Sequence, residues 1–154
     1  MSTSGFLKLG DIKGAGEDPG HKDWIEIKSL TNAITNELDM NRGGGFDNGR
    51  MRFSQIELSR AMDKASVLLA GACAKGKAFD DAQIDFVKMI NAKREVFLSI
   101  KLKTVRISHH SILCTDSDPT ENLGLVFREI EWGYTAFPDG RAEGPFRDKA
   151  SLMA

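Results

Sequence analysis

Three histidines and a scatter of carboxylates are the residues of this chain best suited to chemistry. His109 and His110 are adjacent, with Asp116, Asp118 and Glu121 shortly after them. Imidazoles beside carboxylates could ligate zinc or share acid-base work in a hydrolase. On a strand, however, neighbouring side chains leave on opposite faces, so the two rings cannot readily share one ion. They read as solvated surface residues, and a metal-assisted hydrolase is the least favoured function. Asp116-Ser117-Asp118 has the opening spacing of a calcium loop but lacks its glycine and its closing glutamate. His21, beside Lys22-Asp23, has no nucleophile in a recognisable motif, so a hydrogen-bonded structural histidine is expected. The run Gly43-Gly44-Gly45-Phe46-Asp47-Asn48-Gly49 is not followed by Gly-Lys-Ser/Thr, so it reads as a long hairpin loop and not a phosphate cradle. No GxSxG elbow or HExxH helix is present. The expectation is no catalytic residue, no metal ligand and no cofactor.

The elements around these residues are mostly short strands. Phe6-Leu7-Lys8-Leu9 alternates and ends in Gly10-Asp11, and Trp24 to Lys28 alternates with Ile25 and Ile27 on one face. Arg50 to Leu58, Ala82 to Ile90 with Ile84 and Phe86 inward, Val96 to Ile107 and Leu125 to Tyr134 also read as strands, with a turn at Asn91-Ala92-Lys93-Arg94. Three of them change phase. Phe53 gives way to Ile56, Leu102 to Val105 and Phe127 to Ile130, the pattern a β-bulge produces. Bulged, curved strands close a sheet into a small barrel or fold it over into two packed layers. One helix is expected, with Ala65, Leu68, Leu69, Ala72 and Cys73 as its inner face, Asp63 as N-cap and Gly76 just past its end.

The predicted fold is therefore mainly β: a small curved barrel of two packed antiparallel sheets, one short flanking helix and a long hairpin loop. Residues 1–137 form the domain, and 138–154, polar and aperiodic, read as a flexible or partner-ordered tail.

With 154 residues, 41% hydrophobic and 28% charged, the chain is the size of one globular domain. Its 21 basic and 22 acidic residues leave a net charge of −1, with no block of either sign, which excludes the basic face that nucleic-acid binding needs. Near-neutrality suits self-association. No window is long and apolar enough for membrane insertion and no signal peptide opens the chain, so it is expected to fold in the cytoplasm and to leave the cell, if it does, without a cleavable signal. Cys73 and Cys114 read as buried reduced thiols.

Six stretches, in order, carry a family resemblance. They are Phe6-Leu7-Lys8-Leu9-Gly10-Asp11-Ile12-Lys13-Gly14 with His21 after it; the glycine-rich loop; Met62-Asp63-Lys64-Ala65-Ser66; Ala72-Cys73-Ala74-Lys75-Gly76-Lys77; Lys101-Leu102-Lys103-Thr104-Val105; and Glu121-Asn122-Leu123 leading to Ile130-Glu131-Trp132-Gly133-Tyr134. Together the chain resembles the haemolysin-coregulated protein (Hcp) family of type VI secretion tube proteins over roughly residues 5 to 137. The resemblance implies a non-enzymatic subunit that forms homohexameric rings, stacks them into a tube inside a contractile sheath on a baseplate, meets a VgrG-type spike, and can carry effector proteins in its lumen. It places Thr31 as a candidate at the lumen and the loop Gly43 to Gly49 as a candidate contact with a neighbouring subunit or ring. Leu30-Thr31-Asn32-Ala33-Ile34 and Ser108 to Leu113 depart from the family's usual aromatic-rich and Ser-Ser-Val-Ser segments, so cargo preference does not carry over. The competing expectation is a monomeric barrel that binds a small lipophilic ligand.

Overall fold

The computed structural model describes residues 3–37 and 50–152. The glycine-rich loop, Gly43 to Gly49, lies outside the described residues. The strands are β1 (Ser4–Leu9), β2 (Ile25–Ile27), β3 (Ser29–Thr31), β4 (Ile34–Glu37), β5 (Arg50–Phe53), β6 (Ile56–Ala61), β7 (Ala78–Ile90), β8 (Lys93–Leu113), β9 (Thr120–Val126), β10 (Glu129–Ala136) and β11 (Glu143–Ser151), with one helix, α1 (Ser66–Ala74), between β6 and β7. All described pairings are antiparallel. The main sheet runs β2-β1-β7-β8-β9-β6-β3, β10 continues from the other part of β8 to β11, and β4-β5 form a separate ribbon.

The main sheet folds over on itself along a line of corners. In β7, Phe79 and Ala82 are buried while Asp80 and Asp81 between them are exposed; in β8, Leu102 and Val105 flank exposed Lys103 and Thr104. Phe127 and Ile130 flank exposed Arg128 and Glu129 between β9 and β10, and Lys28-Ser29 stand at the same kind of step between β2 and β3. Two successive outward residues let a strand turn and still return its next side chain to the core, since side chains otherwise alternate strictly. The corners in β8 and between β9 and β10 are phase changes visible in sequence, whereas the one in β7 precedes Ala82, where that strand is expected to begin. They are not bulges: Phe79↔Val105 and Asp81↔Lys103 keep one register across the bend. The register shifts fall elsewhere, at Phe86/Val87, Ile107/His109 and Tyr134/Ala136. The change near Phe53 is a break between β5 and β6, which belong to different sheets.

Beyond the corners the two halves pack face to face. Leu7, Ile84 and Ile100 of one layer share a core with Leu58, Leu123, Leu125 and Ile107 of the other. The hydrogen-bond path does not return to its start. What joins its ends is one covalent segment, 25–31, whose first piece pairs with β1 and whose second pairs with β6. Between them the Lys28 amide donates to the Ser59 carbonyl, 2.8 Å away. The fold is thus the expected mainly β one, with curved strands and one helix, but as a folded-over sheet and not a closed barrel.

Helix α1 ends as the sequence requires. Gly76 adopts φ +61°, its amide reaches Cys73 and the next amide, of Lys77, reaches Ala72, closing two otherwise orphaned carbonyls. The helix start differs. Ala65 is the N-cap without a side-chain bond, and Asp63 caps the turn before it, accepting from the Ala65 amide at 2.8 Å. Ala65, Ser66, Leu69 and Ala72 are buried, whereas Leu68 points to solvent. The inner face is one residue narrower than the spacing suggested, because a nine-residue helix lying against one strand, β8, covers only a single stripe.

Two further readings are corrected. The stretch after Pro138, which lacks periodicity, contains β11, nine residues paired with β10 from Glu129↔Ser151 to Ala136↔Glu143. Both of its faces are largely exposed, so no alternation of polarity marked it as a strand. Cys114 is exposed, because it follows the end of β8 in the turn to β9, and Cys73 is half-buried.

Candidate functional site

Each histidine pairs with carboxylate. His21, buried between β1 and the loop before β2, places Nδ1 2.5 Å from Asp18 Oδ2 and Nε2 2.8 Å from Asp85 Oδ2, and its ring stacks on Phe6 with centroids 4.7 Å apart. Arg94, at the start of β8, also pairs with Asp18. Burial alone would raise the Asp18 carboxyl, but the hydrogen bonds and charges of His21 and Arg94 outweigh it and hold the group below the usual carboxylate range. The cluster pins the loop of residues 10–24 over β1 and β7.

A second cluster lies between the layers. Arg60 and Glu121, opposite each other on β6 and β9, are 1% and 0% exposed. Arg60 pairs with Glu121, reaches Asp63 Oδ2 at 2.6 Å and donates from Nε to the Glu26 carbonyl at 2.9 Å. Ser66 at the start of α1 donates to Glu121 Oε1 at 3.0 Å, and His110 takes the other oxygen of Glu121. A buried pair of this kind stands only where every donor and acceptor is met, as here. It ties the helix start to two strands.

Sequence signals for this pair exist. Arg60 follows Ile56 and Leu58 on the inward phase of its strand, and Glu121 precedes Leu123 and Leu125 on theirs; opposite charges on apolar phases announce a buried partner. Asp85 carries no such signal, since it lies on the outward phase and is covered only by the folded loop.

His109 and His110 do face opposite ways. His110 enters the interior, while His109 lies on the outer face, its Nε2 2.8 Å from Glu57 Oε2. The neighbouring position is Gly124, where a Cβ would stand 2.6 Å from the His109 ring. Register aligns Thr31 with Glu57, Glu57 with Gly124 and Gly124 with His109, so these four form one row across β3, β6, β9 and β8. The next outward row is Ser29, Ser59, Asn122 and Ser111. This face presents polar side chains, short ones in the Ser29 row and Glu57 with His109 in the Thr31 row, and Thr31 is exposed at its edge. Asp116 and Asp118 are exposed in the β8–β9 turn, away from both rows.

The model of the family described as type VI secretion system effector, Hcp, matches residues 6–134. The chain belongs to that family. It is 27% identical over 136 residues to Protein hcp1 of Pseudomonas aeruginosa, covering 87% of this chain and 84% of that one. A solved structure titled as a type six secretion system protein matches with TM-score 0.89 and 26% identity over 98% of this chain and 96% of its own. Hcp1 from Salmonella typhimurium has the same fold, with TM-score 0.79 at 23% identity over 98% and 95% of the two chains. The side chains of the buried histidine clusters are spent on one another, whereas the polar face beside Thr31 is open to solvent.

Proposed function

We propose that this chain is the structural subunit of a type VI secretion inner tube, forming hexameric rings that stack and carry effector proteins in the lumen. The observation that carries the reading is the Hcp family match across 129 residues, 6–134, in a chain whose three histidines are each held by carboxylates. The polar face supports a lumen wall: its Ser, Thr and Asn side chains hydrogen-bond adaptably, so a polypeptide can be held without being trapped. Thr31 is the residue assigned to cargo contact. The loop Gly43 to Gly49 is assigned to a neighbouring subunit or ring, and the spike, sheath and baseplate proteins are the expected outer partners.

Light scattering coupled to size exclusion should give about six chains per particle, and negative-stain images should show rings. A strict monomer at micromolar concentration, stabilised instead by a lipophilic compound, overturns the reading in favour of a ligand-binding barrel. Thr31→Gln should lower effector retention severalfold with ring mass unchanged; full retention removes Thr31 from the lumen.

A further inference from the structure

The polar face carries a hydrogen-bonded cluster that ends on Glu57. Ser108 donates from Oγ to Gln55 Oε1 at 2.5 Å, and Gln55 donates from Nε2 to Glu57 Oε1 at 2.5 Å. The His109 Nε2 lies 2.8 Å from Glu57 Oε2 and 3.1 Å from Oε1, and since a carboxylate only accepts, that nitrogen carries the proton. Gly124 makes the arrangement possible: a Cβ there would stand 2.6 Å from the His109 ring and 2.7 Å from Ser108 Oγ, so a side chain would push both residues off β9. The Glu57 side chain is 43% exposed. Its three contacts on about four acceptor sites leave it able to take one more donor from the solvent side.

Apart from His109, little other charge surrounds that carboxylate. Thr31 and Gly124 flank it in its own row, Ser29, Ser59, Asn122 and Ser111 make up the next, and neither row holds a Lys, an Arg or a second acid. Arg106 lies beyond the Thr31 row, aligned with Val126, and Lys28 stands at the corner beside Ser29. We infer that Glu57 is the specificity-determining residue of this face and takes a Lys or Arg side chain of the polypeptide held there, so that basic segments are retained and acidic ones are not. The inference rests on the lumen reading above and adds to it the chemistry of the cargo. A carboxylate already fixed by Gln55 and His109 loses little freedom on meeting an ammonium or guanidinium, and the bond it makes is charge-assisted. An acidic segment meets like charge instead. One exposed pair is weak, but the copies in one ring act on the same polypeptide and multiply the preference.

Fluorescence anisotropy of two labelled peptides, one of repeated Gly-Lys-Ser and one of repeated Gly-Glu-Ser, tests this on assemblies of the full chain. Wild type should bind the lysine peptide about tenfold more tightly than the glutamate peptide in low salt, with the gap closing as salt rises. Glu57→Gln, which keeps the shape and removes the charge, should abolish the gap, and Glu57→Lys should reverse it. Should either variant lose its fold by circular dichroism, Thr31→Lys sets a cation opposite Glu57 without removing any of its hydrogen bonds and should narrow the gap severalfold. Rings of Glu57→Gln that keep the wild-type gap overturn the inference and leave the tube reading intact. So do wild-type rings that bind both peptides alike. A wild type that light scattering shows to be monomeric overturns the tube reading, and this inference with it.

Discussion

The three histidines show how position, and not residue type, decides what a side chain does. His21 and His110 are locked into buried carboxylate pairs, whereas His109 stands on the surface beside Glu57. Asp18 is the acid whose folded state is held below its usual range, so its contribution is present above its unfolded value near 3.8 and is lost as pH falls through the lower folded value. Asp18→Asn should therefore cost about 1–3 kcal/mol at pH 7, with the gap to wild type closing below about pH 4 in denaturant titrations. A different balance governs Arg60. Removing it as Arg60→Met leaves Glu121 buried without its cation and should cost about 3–5 kcal/mol, while the double change Arg60→Met, Glu121→Leu should recover most of that. Urea melts of the three variants test the coupling.

Among the elements, the corners repeat one device. A buried residue, two exposed ones and a buried one recur in β7, in β8 and between β9 and β10, and the sequence displays the last two as phase changes. A corner and a bulge both move the apolar phase by one, so pattern alone does not separate them; only the partner strand's register does. Thr104, at φ +57°, marks how tightly β8 bends, since a β-branched residue rarely adopts that conformation. The helix end is the converse case, legible because glycine's freedom has one common use there. Gly76→Ala, with open space around its Cβ but positive φ, should cost about 1 kcal/mol, read as a lower melting temperature. The strand β11 was illegible for an equally physical reason, as a strand exposed on both faces has no polarity period.

For the whole molecule, a net charge of −1 combines with large exposed apolar residues on β8, β10 and β11. Charge near zero removes the repulsion that keeps copies apart, and exposed apolar area rewards their meeting. The apparent melting temperature should accordingly rise with protein concentration, as mass action demands of a protein whose folded form associates. Scanning calorimetry across a hundredfold dilution checks this; a constant value would mean that assembly contributes nothing to stability.

Sequence by itself determined the local chemistry: alternation that makes strands, one helix with its glycine stop, adjacent histidines that must diverge, and motifs enough to place the chain beside the Hcp family. Each of these depends on residues close in the chain. Tertiary structure decided which phase changes are corners, which outward residue a loop would bury, and which residues line up in a row across four strands. Those depend on register between segments far apart in sequence, as with Arg60 and Glu121 or Thr31 and His109, and no local pattern encodes where such partners meet.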